Sequence, residues 1–402
     1  MTKVVLKNGS LVTKDGVEKK DIVIEDGKIK EIVDKSPEKG KEVVDLKGKY
    51  ILPGLIDSHV HFRTPGGEVK EDFMTGSRAA ASGGITTVLD MPNTTPATTN
   101  LQVLEDKIKI ASKQSIVNFG FHFGASIDNL EDMKRVKGVG SVKIYMGSST
   151  GNLLVDDNRY LEEMFKEVPK LFTIHAEDEE LMKKNMEEFS TNLEDPAVHS
   201  DIRSQQVAYN AVKAALHLSK KYEHPVHICH VSSQMELDVI KKFKDKNVTC
   251  EATPHHLFFT IKDYADKGNL VKMNPPIRSQ EDQDALWQAI DEGVVDVIGT
   301  DHAPHLLDEK LKRYIEAPSG VPGVETMLPL LLDAVNNGRL NLSKLVELTS
   351  YTPAKIFKIK NKGEIKEGYD ADITVVDMEQ EMKVENKKLF ENVGGHRLMV
   401  GN

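Results

Sequence analysis

His59 and His61, one residue apart in "DSHVHFR", are followed at the same interval by Arg63. In an extended segment residues two apart share a face, so the spacing predicts that Asp57, His59, His61 and Arg63 project together. The same chemistry recurs downstream, with Lys143 in "VKIYM", His175 in "IHAE", His230 in "ICHVS" and Asp301 in "GTDHAPH". Imidazoles and a carboxylate are borderline ligands that suit Zn²⁺. Lys143 is different, because an ammonium has no lone pair to offer a metal. An amine that captures CO₂ becomes an anionic carbamate with two oxygens, able to bridge two metals. Burial near cations lowers a lysine's pKa enough for that reaction.

These residues can act together only if a fold gathers them. Eight β-like runs alternate with helical patterns between residues 51 and 355: "GLIDSHVHF", "GITTVLDMPN", "IVNFGFHFGA", "GSVKIYMG", "LFTIHAE", "HPVHICHVS", "VTCEATPHHLFF" and "VVDVIGTDHAPH". Segments such as "DIRSQQVAYNAVKAALHLSKKY" carry the 3.6-residue period of amphipathic helices. Eight βα units predict a (β/α)8 barrel over 51–355, with its chemistry at the C-terminal ends of the strands, where the polar residues cluster. Asn8-Gly9, Asp26-Gly27 and Lys47-Gly48 divide the first fifty residues into short strands and are hairpin signals. The tail around "KGEIKEGYDADITVVD" alternates in the same way. Residues 1–50 and 356–402 are therefore expected to share one small composite β-sandwich.

Composition narrows the setting. A net charge of -10, with no basic stripe, argues against a nucleic-acid partner. No apolar run reaches the roughly 18 residues of a membrane span, and the first residues lack a signal-peptide core. The two cysteines, Cys229 and Cys250, lie in apolar runs and read as buried reduced thiols of a cytoplasmic protein. "GVGSVK" and "GSSTGN" lack the residues of a phosphate loop.

In order along the chain, "DSHVHFR", "LDMPNT", "VKIYM", "IHAE", "ICHVS", "CEATPHHL", "NPPIR" and "GTDHAPH" resemble the amidohydrolase superfamily, and within it the dihydroorotases. The resemblance covers nearly the whole chain. It implies two Zn²⁺ ions, one held by His59, His61 and Asp301 and the other by His175 and His230, with N6-carboxylated Lys143 bridging. Some members use a loop aspartate in place of the modified lysine, which makes Asp156 or Asp157 the alternative bridge. The implied reaction is hydrolysis of a cyclic amide, with Asp301 carrying a proton from water to the departing ring nitrogen. Run backwards, it closes N-carbamoyl-L-aspartate into dihydroorotate and releases water, as in pyrimidine biosynthesis.

Substrate choice must come from other groups. Arg63 offers a bidentate fork, and Asn93 and His305 are further donors able to converge on one carboxylate. The resemblance implies that these three grip the substrate carboxylate, while Asn274, Ser319 and Gly320 lie against the ring and Arg278 adds to the grip. Hydantoinases and allantoinases share the histidines, but their ring substrates carry no carboxylate on the ring carbon, so the clamp favours dihydroorotate. A superfamily member acting only as a scaffold should lack ligands, and this chain lacks none. Glu251 and His256 are candidates for orienting a ligand. Ser149 and Thr150 could ride on a lid, whereas His199, His217, His224 and His396 read as ordinary. His227, three residues before His230, is expected on the opposite face of its strand. A homodimer and docking on an aspartate transcarbamoylase, as in some relatives, are the assembly alternatives.

Overall fold

Of the three turn dipeptides, Asp26-Gly27 makes a hairpin. In the computed structural model, which describes residues 3–36, 42–147, 153–381, 383 and 389–390, strands β2 (Gly16–Glu25) and β3 (Lys28–Val33) pair antiparallel across it. Both turn residues have positive φ, 50° and 77°, matching the twist of the flanking strands. Asn8-Gly9 does not turn the chain. Strand β1 runs unbroken from Lys3 to Thr13, and Asn8 (φ 56°) forms a bulge where the register with β2 shifts. Asp21 and Asp45 hold Asn8 by its backbone and its side-chain amide. Lys47-Gly48 also departs from a hairpin, because β4 (Glu42–Asp45) and β5 (Tyr50–Pro53) both run parallel to β1. The dipeptide is a jog between two strands lying along the same neighbour.

Among the described residues the last strand, β15 (Ile373–Val376), pairs antiparallel with β5, so segments from the N- and C-terminal parts of the chain build one six-stranded mixed sheet. Leu6, Leu11, Ile22, Ile29, Leu46, Ile51 and Ile365 form its separate apolar core.

Each of the eight expected runs contains a strand. These are β6 (Leu55–Val60), β7 (Ile85–Asp90), β8 and β9 (Asn118–Phe121 and Phe123–Gly124), β10 (Val142–Met146), β11 (Phe172–Ala176), β12 (Val226–Ile228), β13 (Val248–Ala252) and β14 (Val297–Ile298). All are parallel, in the order β6-β7-β8 and β9 through β14, with β8 and β9 parted only at His122. A parallel bridge between Val60 and His302 joins the first barrel strand to the segment that follows the eighth. The result is a (β/α)8 barrel. Its helices start where the local chemistry allows: Asp72 and Thr75 form a capping box on the helix Phe73–Ser82, and Ser233 and Glu236 do the same for Gln234–Phe243. No helix among the described residues is long and apolar enough to cross a membrane. Both cysteines are free and buried.

One buried ion pair supports the strand that carries His59. Asp90, at the end of β7, accepts the Phe62 backbone N–H (2.7 Å) and pairs with Lys107 (2.6 Å), whose ammonium also donates to the Met91 carbonyl. Both side chains are wholly excluded from solvent. Lys107→Met should leave the Asp90 carboxylate buried without its counter-charge, at a cost of about 3–5 kcal/mol. A marked fall in the denaturant midpoint checks this; an unchanged midpoint refutes it.

Candidate active site

His59 and His61 meet Asp301 across the seam between the first and last barrel strands. Asp301 Oδ1 lies 3.2 Å from His59 Nε2 and 3.0 Å from His61 Nε2. The Nδ1 atoms are already engaged: His59 Nδ1 on Glu251 Oε1, and His61 Nδ1 on Asn93 Oδ1 at 2.7 Å. In a neutral ring the single proton then sits on Nδ1, so both Nε2 atoms aim bare lone pairs at a carboxylate oxygen. With His59 neutral, three electron pairs converge with no hydrogen among them, an arrangement that needs a positive charge. His59, His61 and Asp301 therefore fit a metal ion, and their ligand atoms lie within 4.8 Å of one another. A proton on His59 can supply that positive charge in place of a metal. Burial alone would depress His59, but Glu251 and Asp301 outweigh it and hold its imidazole well above the ordinary range. Burial opposes ionisation of Asp301 as well, yet His59 and His61 keep its carboxyl well below the usual range. Burial pushes His61 down to about 4, leaving its ring neutral at pH 7.

A second histidine pair stands beside the first, with the His59 and His230 ring centres 5.5 Å apart. His175 Nδ1 and His230 Nε2 are 2.9 Å apart. His175 Nε2 bonds Glu177 (2.8 Å), so Nδ1 carries the lone pair, while His230 Nδ1 is buried with no hydrogen-bond partner. Burial lowers the pKa of both imidazoles, and both are neutral potential ligands. Burial would raise Glu177, but Arg203 and His175 bring it down to about 2. Lys143 is fully buried, and its ammonium donates to Cys229 Sγ at 2.8 Å. Among the described residues no carboxylate pairs with it.

On the other side of His61 the donors collect. Arg63 Nε donates to the Pro304 carbonyl (3.2 Å), and its Nη2 lies 3.0 Å from His305 Nε2. Arg63 does not arrive there by strand alternation: β6 ends at Val60, and Arg63 takes φ 60° in the following turn. Asp57 also departs from the shared face, since Thr300 engages its carboxylate through both backbone and hydroxyl. His305 Nε2 is 3.0 Å from the Ser319 carbonyl. Gly320 (φ 140°) packs so closely that a Cβ would lie 3.0 Å from the His305 ring and 2.5 Å from the Ala303 carbonyl. Gly320 N bonds the Lys272 carbonyl, tying this segment to the one that carries Asn274. His199 reads as ordinary from sequence, but in the structure its Nε2 lies 2.9 Å from Asn274 Oδ1 and so holds that side chain.

Other expectations are corrected. β12 ends at Ile228 and His230 has φ 36°, so the period-2 count does not extend to it: His227 bonds Thr249 and Glu251 through its ring, whereas His230 meets Glu251 only by its backbone N–H and turns its ring to His175. Arg278 binds Ser232 through Nε and the Arg203 carbonyl through Nη1, and its Nη2 is buried without a partner among the described residues. His256 bonds Thr253 and the Pro275 carbonyl rather than a ligand, whereas Glu251 holds His59 directly. Asp157 is exposed and caps the helix Asn158–Glu167 through Arg159 N and Tyr160 N, and Asp156 is exposed beside it. Ser149, Thr150 and His396 lie outside the described residues.

Sequence reasoning missed Glu177, Cys229, Tyr145 and His255. The first two could have been found, being two residues after His175 and one before His230. Tyr145 and His255 are buried, with Tyr145 OH and His255 Nε2 unpartnered. Both lie within electrostatic reach of Asp301.

Residues 50–396 match the amidohydrolase family. A dihydroorotase of Methanothermobacter thermautotrophicus is 41% identical over 371 residues, 92% of this chain and 84% of that protein. A dihydroorotase of Methanosphaera stadtmanae is also 41% identical, over 96% of this chain and 89% of its own length. Among solved structures, an L-hydantoinase (dihydropyrimidinase) from Arthrobacter aurescens superposes with a TM-score of 0.94 at 30% identity, covering 98% of this chain and 91% of that one.

Glu251 sets which nitrogen of His59 is free. Glu251→Gln can still accept a hydrogen bond at one atom but removes the charge, and it should weaken metal binding by about 10–100-fold. Titration of the chelator-stripped variant with Zn²⁺ measures this; wild-type affinity would make Glu251 merely structural.

Proposed function

The chain belongs to the amidohydrolase family, and on that premise we propose that it acts as a dihydroorotase, interconverting N-carbamoyl-L-aspartate and (S)-dihydroorotate. The observation that carries this reading is the anion clamp of Arg63, Asn93 and His305 set against His59, His61 and Asp301. Related hydantoinase structures share the fold, yet a hydantoin ring gives a guanidinium at this place no carboxylate to grip. The 41% identical relatives named dihydroorotase support the same choice.

Two Zn²⁺ ions per chain are proposed, with His59, His61 and Asp301 holding one, His175 and His230 the other, and N6-carboxylated Lys143 between them. When bound, such ions acidify water and polarise a carbonyl. The chain's own residues do the rest. Arg63, Asn93 and His305 fix the substrate carboxylate, and Asn274 with the Ser319–Gly320 backbone confines the ring. Asp301, ionised at neutral pH, accepts a proton from the water whose oxygen adds to the ring carbonyl carbon, and returns it to the ring nitrogen as the C–N bond breaks. In the reverse direction the same carboxylate takes the proton from the ureido nitrogen as the ring closes, the direction used in cytoplasmic pyrimidine synthesis.

Purified enzyme should turn over dihydroorotate far better than hydantoin, dihydrouracil or allantoin. Arg63→Ala should reduce kcat/KM about tenfold to more than a hundredfold, the worth of a charge-assisted pair. Preference for a ring without a carboxylate would instead favour a hydantoinase.

The bridge is tested by paired variants. Lys143→Ala should lose both metal and activity, and a small carboxylic acid at high concentration should restore part of each. Asp157→Ala should cost little, since that side chain caps a helix. A tolerant Lys143 beside an inactive Asp157→Ala would reverse the assignment.

A further inference from the structure

Lys70 lies seven residues beyond Arg63 and is half-buried, with its ammonium 3.0 Å from His305 Nδ1 and 3.0 Å from Glu309 Oε2. We propose that Lys70 is a positioning residue of the anion clamp: it fixes His305 as the Nε2–H tautomer, so that the ring presents a donor beside Arg63. The inference rests on the carboxylate-binding role given to the clamp above.

An ammonium has donors and no lone pair, so Nδ1 must be the acceptor in the Lys70 contact. Burial, then Arg63, Lys70 and Lys310, hold His305 well below the ordinary imidazole range, and the ring is neutral at pH 7. Its single proton is therefore on Nε2, directed at the Ser319 carbonyl 3.0 Å away. The same Nε2 is 3.0 Å from Arg63 Nη2. Two N–H donors thus meet with the Ser319 carbonyl as the acceptor for Nε2–H and, among the described residues, none for Arg63 Nη2, and a carboxylate oxygen shared between them completes that arrangement.

Removing Lys70 changes which atom is protonated. Glu309 Oε2 is 3.7 Å from Nδ1 and is the acceptor next in line. A proton shifted to Nδ1 would leave a lone pair on Nε2, and Arg63 would donate to it. The clamp would then close on itself instead of on the substrate. Lys70 acts through His305 and needs no contact with substrate.

The tautomer can be read directly by two-bond ¹⁵N–¹H correlation spectra of histidine-labelled enzyme, with His305 assigned by its absence from His305→Gln. Wild type should show the Nε2–H pattern. Lys70→Met should shift it towards Nδ1–H and raise KM for dihydroorotate by about tenfold or more, with a smaller change in kcat. Lys70→Gln, whose amide N–H can donate to Nδ1, should restore the Nε2–H pattern and recover most of the lost KM. An Nδ1–H pattern in wild type overturns the proposal, as does an unchanged pattern in Lys70→Met. Restoration of the pattern by Lys70→Gln without recovery of KM also overturns it, by making the charge the operative feature. The spectra need no substrate, so failure of the dihydroorotase reading would leave the tautomer result separately decided.

Discussion

The seam between the first and eighth barrel strands carries the chemistry. His61 N bonds the His302 carbonyl at 2.8 Å, and Thr300 is pinned to Asp57 by two hydrogen bonds. These contacts join residues some 240 positions apart and bring the His59–His61 strand face against Asp301. One is a backbone bond and two fall on the buried Asp57 carboxylate, and such groups cannot be left unpaired without a penalty. The register across the seam, and with it the separation of the ligand atoms, is accordingly fixed by requirements that have nothing to do with catalysis. Asp90 and Lys107 hold the next residue of the same segment, Phe62, from the other side.

Around that seam the polar atoms sort by kind. On one side lone pairs converge: His59 Nε2, His61 Nε2 and Asp301, with His175 and His230 adjoining. On the other side N–H groups converge, from Arg63 and His305. His61 and Asn93 stand between the two. Cations suit the first region and anions the second, and a substrate with an amide at one end and a carboxylate at the other spans both. Outer partners decide this sorting. Glu251, Glu177, Asn93 and Lys70 each occupy one nitrogen of an imidazole and thereby determine what the other presents.

Three site residues, Arg63, His230 and Asp301, sit at φ 60°, 36° and 48°. Non-glycine residues there cost of order 1–3 kcal/mol each and persist only where the surroundings over-determine them. Each lies just past the end of a barrel strand. The strands are regular and legible from sequence, while the residues that reach into the site have left the strand conformation.

That division describes what the sequence determined on its own. Eight apolar runs separated by amphipathic helices specify the barrel, because burial of parallel strands on both faces demands that pattern. Ligand-type residues at the ends of those runs mark the site, because barrel strands deliver their C-terminal residues to one rim. Tertiary structure decided what local periodicity cannot encode. Asn8-Gly9 became a bulge because Asp21 and Asp45 hold it from neighbouring strands. His230 offered its backbone N–H to the carboxylate that holds His227, and its ring to His175, because the strand stopped between them. Lys70 met His305 across a separation of 235 residues. Hydrogen-bond partners, tautomers and the local field arise from atoms brought close by the closed barrel, and a linear spacing carries no information about them.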